Sequence, residues 1–338
     1  MFVLTGCGGA DDRAPFAESR IPPSLGPRFW APEGWAWGLI KLGDAPAQRY
    51  GVSSTATAPK ASILILTGYG ETAEAWFETA RDLNALGYSV WVLERAGQGG
   101  SERYTGPRDL VNVPDFDGDI ATTKTLARAI AQGSDAPLVV LGSGVGGLVA
   151  VATIERGAPV DALVLSAPDL KPAGGLSDWQ GRLAKVGLGR LPPGPGYGWD
   201  REGPDAFKAG LTGDRFRGAV QKQWQTANPD LRMGQPSLGW RAAFATASSA
   251  ALKTPSAMPA PALTLTAEGD GDRAEAEAFC RALPACRVAK IKGGRRQLHL
   301  ERDAVRSVWL NEVDGFIRER IRARDEARYP PPPPEHPL

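Results

Sequence analysis

A glycine-rich turn is the segment whose residue types and spacing bear most directly on chemistry. It reads Gly142-Ser143-Gly144-Val145-Gly146-Gly147 and lies between an apolar strand and the start of a helical segment. A turn of the form G-x-S-x-G exposes a nucleophilic serine for acyl transfer. Here the serine position is Gly144. Because glycine-rich strand-to-helix turns also bind phosphates, the turn alone does not decide the chemistry.

Apolar strands alternate with helical segments along most of the chain. Strands are predicted over 62–66, 88–93, 138–141, 162–165, 262–266 and 287–291, and the clearest helices over 71–86, 120–131 and 303–322. Near-continuous apolar strands separated by helices indicate a mostly parallel sheet covered by helices on both faces. The predicted fold class is therefore α/β.

The alternation of strands and helices, and the places where it stops, also predict how the chain divides into segments. Residues 1–34 form a tether or an irregular surface segment, and 35–169 and 261–324 form two parts of one core. Residues 170–260 form an inserted helical cap, and 325–338 form a tail with five consecutive prolines. Insertions at that point lie over the carboxyl edge of the sheet, where ligands bind.

Further segments carry a family resemblance. They are Thr67-Gly68-Tyr69-Gly70-Glu71, Ala96-Gly97-Gln98-Gly99-Gly100-Ser101, Leu211-Thr212-Gly213-Asp214, Ala267-Glu268-Gly269-Asp270 and Gly293-Gly294-Arg295-Arg296-Gln297-Leu298. With the glycine-rich turn, they resemble the lysophospholipase and monoacylglycerol lipase branch of the α/β-hydrolase superfamily, which includes hydrolases of the serine aminopeptidase S33 type. The resemblance covers roughly residues 60 to 320, and it implies an α/β-hydrolase fold and carboxylic ester hydrolase ancestry.

The resemblance also implies a role for each position of the site. Asp270 would be the triad acid, and the backbone N–H groups of Tyr69 and Val145 would form the oxyanion hole. The nucleophile would fall on Gly144 and the general base on Arg296. Glycine has no side chain and arginine stays protonated near neutrality, so neither residue can perform its role. The sequence thus predicts impaired catalysis and implies neither cofactor nor metal, and it leaves open whether the protein is an enzyme.

An alternative is an active esterase with a displaced triad of Ser143, His299 and Asp270. The chain has only two histidines, and His336 lies in the proline-rich tail. Against this alternative, adjacent side chains at a strand end point to opposite faces, so Ser143 should turn away from the oxyanion donors. A further hypothesis is that Asp270 pairs with Arg296, which would make the site a polar recognition feature.

The expected ligand is a lipid-like molecule or acyl ester, or else a protein partner. Trp240 is expected in the core. An anionic head group could be attracted by three arginines, Arg295, Arg296 and Arg302. Alternatively they form a solvated basic face, and both interpretations stay open. With 39 basic and 38 acidic side chains and no basic cluster, nucleic acid is not an expected partner. The oligomeric state is not predicted.

The three cysteines bear on localisation. Val3-Leu4-Thr5-Gly6-Cys7 resembles a bacterial lipobox, which implies a lipid on Cys7 and a membrane anchor in the cell envelope if the start codon was assigned too far downstream. Otherwise the match is chance and the protein is cytoplasmic. Cys280 and Cys286 are spaced so that a disulfide could join a helix end to the next strand, and two free thiols are the alternative.

Overall fold

The computed structural model describes residues 13–170, 184–200, 204–253 and 258–328. An eight-stranded sheet runs through the described residues in the order β1-β2-β4-β3-β5-β6-β7-β8. The strands are β1 Ala36–Ile40, β2 Gln48–Ser53, β3 Ala61–Leu66, β4 Tyr88–Leu93, β5 Leu138–Ser143, β6 Ala162–Ser166, β7 Ala262–Ala267 and β8 Cys286–Ile291. β2 pairs antiparallel with both β1 and β4, and all other neighbours are parallel.

The longer helices follow the predicted alternation. They are α1 Phe77–Ala85, α2 Asp117–Gly133, α3 Val145–Glu155, α4 Arg215–Gly218, α5 Val220–Ala227, α6 Leu238–Ala251, α7 Arg273–Ala282 and α8 Asp303–Arg328. Helices α4 to α6 lie between β6 and β7, in the segment predicted to be the cap. None of the helices among the described residues has both the length and the apolar character needed to cross a membrane.

Two apolar cores flank the sheet, because alternate side chains of a strand point to opposite faces. Leu64 and Leu66 of β3 pack with residues of α2 and α3. Ile63 and Ile65 pack on the other face with residues of α1 and α8. The predicted fold class, a mostly parallel sheet with helices on both faces, is confirmed.

Part of the N-terminal segment crosses the surface between the core and the cap. Residues 13–35 contain one short 3-10 turn, Pro27–Phe29, and otherwise lack regular structure. Leu25 is buried in a third apolar cluster with Phe77 of α1 and Trp224 of α5. This segment therefore contacts the sheet domain and the insertion at the same time.

Candidate functional site

The glycine-rich turn joins β5 to α3 at the carboxyl edge of the sheet. Close approach explains two of its glycines. A Cβ on Gly146 would lie 2.2 Å from the carbonyl oxygen of Leu66, and one on Gly142 would lie 2.5 Å from the Cα of Gly147. These distances are too short for any larger residue, so the glycines are what let α3 pack against the end of β3.

Gly144 has φ 48° and ψ −120°, a conformation that residues with a Cβ rarely adopt. Its amide donates to the Ser166 carbonyl (3.2 Å), and its own carbonyl accepts from the Asp169 amide (3.0 Å). The three atoms nearest to a Cβ added here would be Asp169 Oδ2 at 3.2 Å, the Gly68 Cα at 3.7 Å and the Asp169 Cγ at 3.8 Å. The nucleophile position is therefore a bare backbone beside a carboxylate.

Arg296 lies among three carboxylates at the position of the expected general base. Its Nη1 is 2.5 Å from Asp169 Oδ1, and its Nη2 is 2.8 Å from Asp270 Oδ1. It also pairs with Asp272. The distance to Asp270 lies within ion-pair range, as the sequence hypothesis requires. The sequence analysis did not identify Asp169 or Asp272 as further partners.

Burial and charge shift the pKa values of this cluster. Burial lowers the pKa of Arg296, but the carboxylates of Asp169, Asp270 and Asp272 outweigh it, so that the net pKa is raised and the guanidinium stays charged. Burial raises the pKa of Asp169 to about 6. Arg296 opposes that rise, while Asp272 and Asp270 add to it. Arginine at this place cannot accept a proton.

The two predicted oxyanion donors belong to the two segments next to Gly144: Gly68, which precedes Tyr69, has its Cα 3.7 Å from the position of a Gly144 Cβ, and Val145 follows Gly144 in the chain. Tyr69 belongs to the loop after β3, and Val145 is the first residue of α3, so its amide has no acceptor within the helix. The Tyr69 hydroxyl donates to the Gly234 carbonyl (2.9 Å), and its ring packs edge-on against Trp240 at 4.9 Å. Trp240 is buried, as expected.

Ser143 does not face the oxyanion donors. Its hydroxyl donates to Glu71 Oε1 (3.0 Å), while Glu71 Oε2 accepts from the Gly68 amide (2.7 Å) and from Trp76 Nε1 (3.1 Å). Burial raises the pKa of Glu71, and these three hydrogen bonds oppose the rise. Ser143 thus helps to bind the loop after β3 to β5.

His299 lies outside the site as well. Its ring is fully buried and stacks on Trp76 with a centroid distance of 3.7 Å. Neither ring nitrogen has a hydrogen-bond partner among the described residues. Burial, with a smaller contribution from Arg306, lowers its pKa well below the ordinary value. The displaced triad is therefore not assembled, because Ser143 bonds to Glu71, Asp270 bonds to Arg296, and His299 bonds to neither.

The remaining predicted site residues lie apart from this cluster. Cys280 and Cys286 form a disulfide between α7 and β8, with their Cα atoms 5.4 Å apart. Cys7 lies outside the described residues. Arg295 donates to the Thr212 carbonyl and Arg302 is exposed. Across the ranges that the structure describes, no three His, Cys, Asp or Glu side chains are grouped to hold a metal ion.

Three residues of the site, Asp169, Asp272 and Glu71, were not predicted from the sequence. Asp169 follows β6 directly, in Ser166-Ala167-Pro168-Asp169, and Glu71 ends the loop after β3. The carboxyl ends of neighbouring parallel strands meet at one edge, so an Asp placed just after a strand was a usable signal. Glu71 offered none beyond its place in the oxyanion loop.

Comparison with known proteins identifies the family of the chain and the proteins that share its fold. Residues 57–303 match the profile of the family described as serine aminopeptidase, S33. The fold is similar to that of a soluble variant of monoglyceride lipase from Saccharomyces cerevisiae, solved with a substrate analogue (16% identity, TM-score 0.65, covering 84% of this chain and 94% of that one). It is also similar to a monoacylglycerol lipase from Paleococcus ferrophilus (18% identity, TM-score 0.61, covering 80% of this chain and 98% of that one). A carboxyl esterase from Bacillus coagulans, solved with glycerol, is 14% identical with a TM-score of 0.63, and the match covers 85% of this chain and 99% of that one.

Proposed function

Because the chain belongs to the serine aminopeptidase S33 family of α/β-hydrolases, we propose that it keeps the family fold around a site for an acyl-type ligand but performs no covalent serine catalysis. The observation that carries the proposal is the Arg296 guanidinium among three carboxylates, opposite a bare Gly144. Loss of a triad member alone costs roughly 10⁴ to 10⁶ in rate. In this chain both the nucleophile and the base are replaced.

The ligand is proposed to be an uncharged ester or ether of the monoacylglycerol kind. The yeast lipase with a similar fold binds a substrate analogue, and the Bacillus esterase binds glycerol. The charge of the site supports an uncharged ligand. One guanidinium faces three carboxylates, and the surplus of negative charge disfavours a fatty-acid anion.

A fluorophosphonate probe tests the catalytic half of the proposal, since it labels only an activated serine. The wild-type protein is expected to remain unlabelled. The double variant Gly144→Ser/Arg296→His should gain labelling. It supplies the hydroxyl and the imidazole of a serine hydrolase triad, and Asp270 is already next to residue 296. Adding Ser143→Ala to that double variant is the matched control and should leave labelling intact. Labelling of the wild type that disappears in Ser143→Ala would contradict the proposal.

Binding of 1-O-hexadecylglycerol, an ether that cannot be hydrolysed, tests the ligand half by calorimetry. Gly144→Leu fills the space beside Asp169 and is expected to weaken binding at least tenfold. Gly157→Leu is the control, because Gly157 also has a positive φ but is exposed at the far end of α3. Equal effects of the two substitutions, or no binding to the wild type, would count against a ligand site over Gly144.

We also propose a bacterial, lipid-anchored protein of the cell envelope. The lipobox-like Val3–Cys7 sequence supports the anchor, and the Cys280–Cys286 disulfide supports an oxidising compartment. Expression from the native chromosomal locus in the presence of labelled palmitate should label the wild type and not Cys7→Ala. Absence of label in the membrane fraction would remove this proposal.

A further inference from the structure

The carboxylate of Asp169 stands where the side chain of a nucleophile would extend. Its Oδ2 lies 3.2 Å from the position of a Cβ on Gly144. A water oxygen in that space would be within hydrogen-bond reach of Oδ2. The side chain of Asp169 retains 16% exposure, so solvent and small ligands can reach it. The space over Gly144, where a serine hydroxyl would lie, is therefore next to the Asp169 carboxylate.

The two oxygens of this carboxylate have different surroundings. Oδ1 accepts from Arg296 Nη1 at 2.5 Å, and Oδ2 faces the space over Gly144. Arg296 is itself held by Asp270 and Asp272. The three side chains thus form a chain of contacts in which Asp270 holds Arg296 and Arg296 orients Asp169, the group that could react. Arg296 acts here as a positioning residue that fixes the carboxylate.

The backbone that carries Asp169 is strained. Ala167 has φ 42° and is the only non-glycine residue with a positive φ in the part of the chain that the structure describes. Such a conformation costs roughly 1–3 kcal/mol and persists where the surrounding structure imposes it. The Ala167 amide donates to the Leu265 carbonyl at 2.8 Å, and the Asp169 amide donates to the Gly144 carbonyl. These bonds hold the carboxylate against the turn.

Burial, together with Asp272 and Asp270, sets the pKa of Asp169 at about 6 although Arg296 opposes the rise. A group that titrates near neutrality can both accept a proton from water and return it to a leaving group. Asp169 therefore has a suitable position and a suitable acidity for the same task.

We propose that Asp169 is a general base that directs water onto the carbonyl of a bound, uncharged acyl ester. This inference rests on the proposed function, because it requires an acyl ligand at the same site. The water oxygen bonds to the carbonyl carbon while one water proton passes to Asp169 Oδ2. The negative charge that develops on the carbonyl oxygen is stabilised by the amides of Tyr69 and Val145. Cleavage of the ester C–O bond follows, and Asp169 returns the proton to the departing alcohol.

This reaction yields an acid and an alcohol without a covalent intermediate. It predicts slow hydrolysis of 4-nitrophenyl butyrate that is linear from time zero, unaffected by pretreatment with a fluorophosphonate, and rising with pH through a midpoint near 6. Asp169→Asn should lower the rate roughly 10²-fold and remove the pH midpoint. Asp117→Asn is the matched control, since Asp117 is an exposed carboxylate paired with Arg156 on the surface, and it should leave the rate unchanged.

The possible failures are distinguishable. Binding of 1-O-hexadecylglycerol without hydrolysis above the buffer rate would overturn the role of Asp169 and leave the proposed function standing. If the folded Asp169→Asn variant hydrolysed the ester as fast as the wild type, the role of Asp169 would also be overturned and the proposed function would stand. A burst of nitrophenol or labelling by the fluorophosphonate would overturn both proposals, because each requires that no nucleophilic side chain is acylated.

Discussion

At the scale of single residues, the site differs from a serine–histidine–aspartate triad at Gly144 and Arg296, and it has one neighbour that the sequence did not predict, Asp169. Gly144 removes the nucleophile and leaves its turn unstrained, since glycine adopts a positive φ freely. Arg296 replaces a titrating imidazole by a permanent cation, which in turn draws Asp169, Asp270 and Asp272 together. The result is a charged cluster in which Asp169 is partly accessible and has a pKa of about 6.

The buried carboxyl of Asp169 should make stability depend on pH. In the unfolded chain it ionises near pH 4, so between about pH 4 and pH 6 the folded protein holds a proton that the unfolded chain has lost. The stability that Asp169 contributes is therefore complete below pH 4 and declines as the pH rises through 6. Asparagine cannot ionise. The gain in unfolding free energy from Asp169→Asn should accordingly be larger at pH 8 than at pH 4, by about 3 kcal/mol.

Urea unfolding of the two proteins at both pH values measures this difference. Asp117→Asn serves again as the control, because its carboxylate is exposed and pairs with Arg156 rather than with Arg296. If Asp169→Asn gave a difference that did not grow with pH, the carboxyl would have to be ionised in the folded state throughout this range.

At the scale of elements, the strands with continuous apolar runs could be predicted from the sequence, and the first two strands could not. The prediction for β4 matches its bounds, 88–93, and the predictions for β3 and β5 to β8 fall short by one or two residues. β1 has five residues that are exposed or half-buried, and β2 begins with the buried polar pair Gln48 and Arg49. Their burial depends on partners such as Glu94, distant in sequence, which no local pattern reveals.

The site shows the same contrast. The positions of Gly144, Asp270 and Arg296 followed from motifs, because each lies directly after a predictable strand. The orientation of Ser143 followed from strand alternation. The position of His299 did not, because its stacking on Trp76 joins segments more than two hundred residues apart. Contacts of that kind depend on the packed tertiary structure rather than on spacing.

The disulfide that joins α7 to β8 should stabilise this edge of the sheet. It closes a short loop, for which restriction of the unfolded chain is worth about 2 kcal/mol. Cys280→Ala/Cys286→Ala should therefore lower the free energy of unfolding by about that amount. Wild-type protein in dithiothreitol should approach the variant, while the variant itself should not respond to reductant. A response of the variant would indicate an effect unrelated to this bond.

At the scale of the whole molecule, the segment 13–34 connects the cap to the sheet domain. Arg81 of α1 donates to three of its carbonyls, those of Pro27, Arg28 and Trp30, each at 2.9 Å. On the cap side, Asn228 binds both backbone groups of Arg20, accepting from its amide at 2.7 Å and donating to its carbonyl at 2.9 Å. The position of the insertion against the sheet domain therefore depends on residues far outside the site.

Asn228→Ala tests this connection. The substitution removes three hydrogen bonds, two to the backbone of Arg20 and one to the Trp224 carbonyl. It leaves the backbone groups of Arg20 without their partners, so the free energy of unfolding should fall by about 2 kcal/mol. Hydrogen exchange should quicken in α5, which Asn228 terminates, more than in α3. Thr226→Ala is the matched control, since Thr226 is an exposed residue of the same helix whose hydroxyl binds only the carbonyl of Lys222. If both substitutions quickened exchange in α5 equally, loss of a side-chain hydrogen bond to a carbonyl of the same helix would explain the effect. A selective effect of Asn228→Ala would mean that the N-terminal segment fixes the cap, and hence the shape of the ligand site.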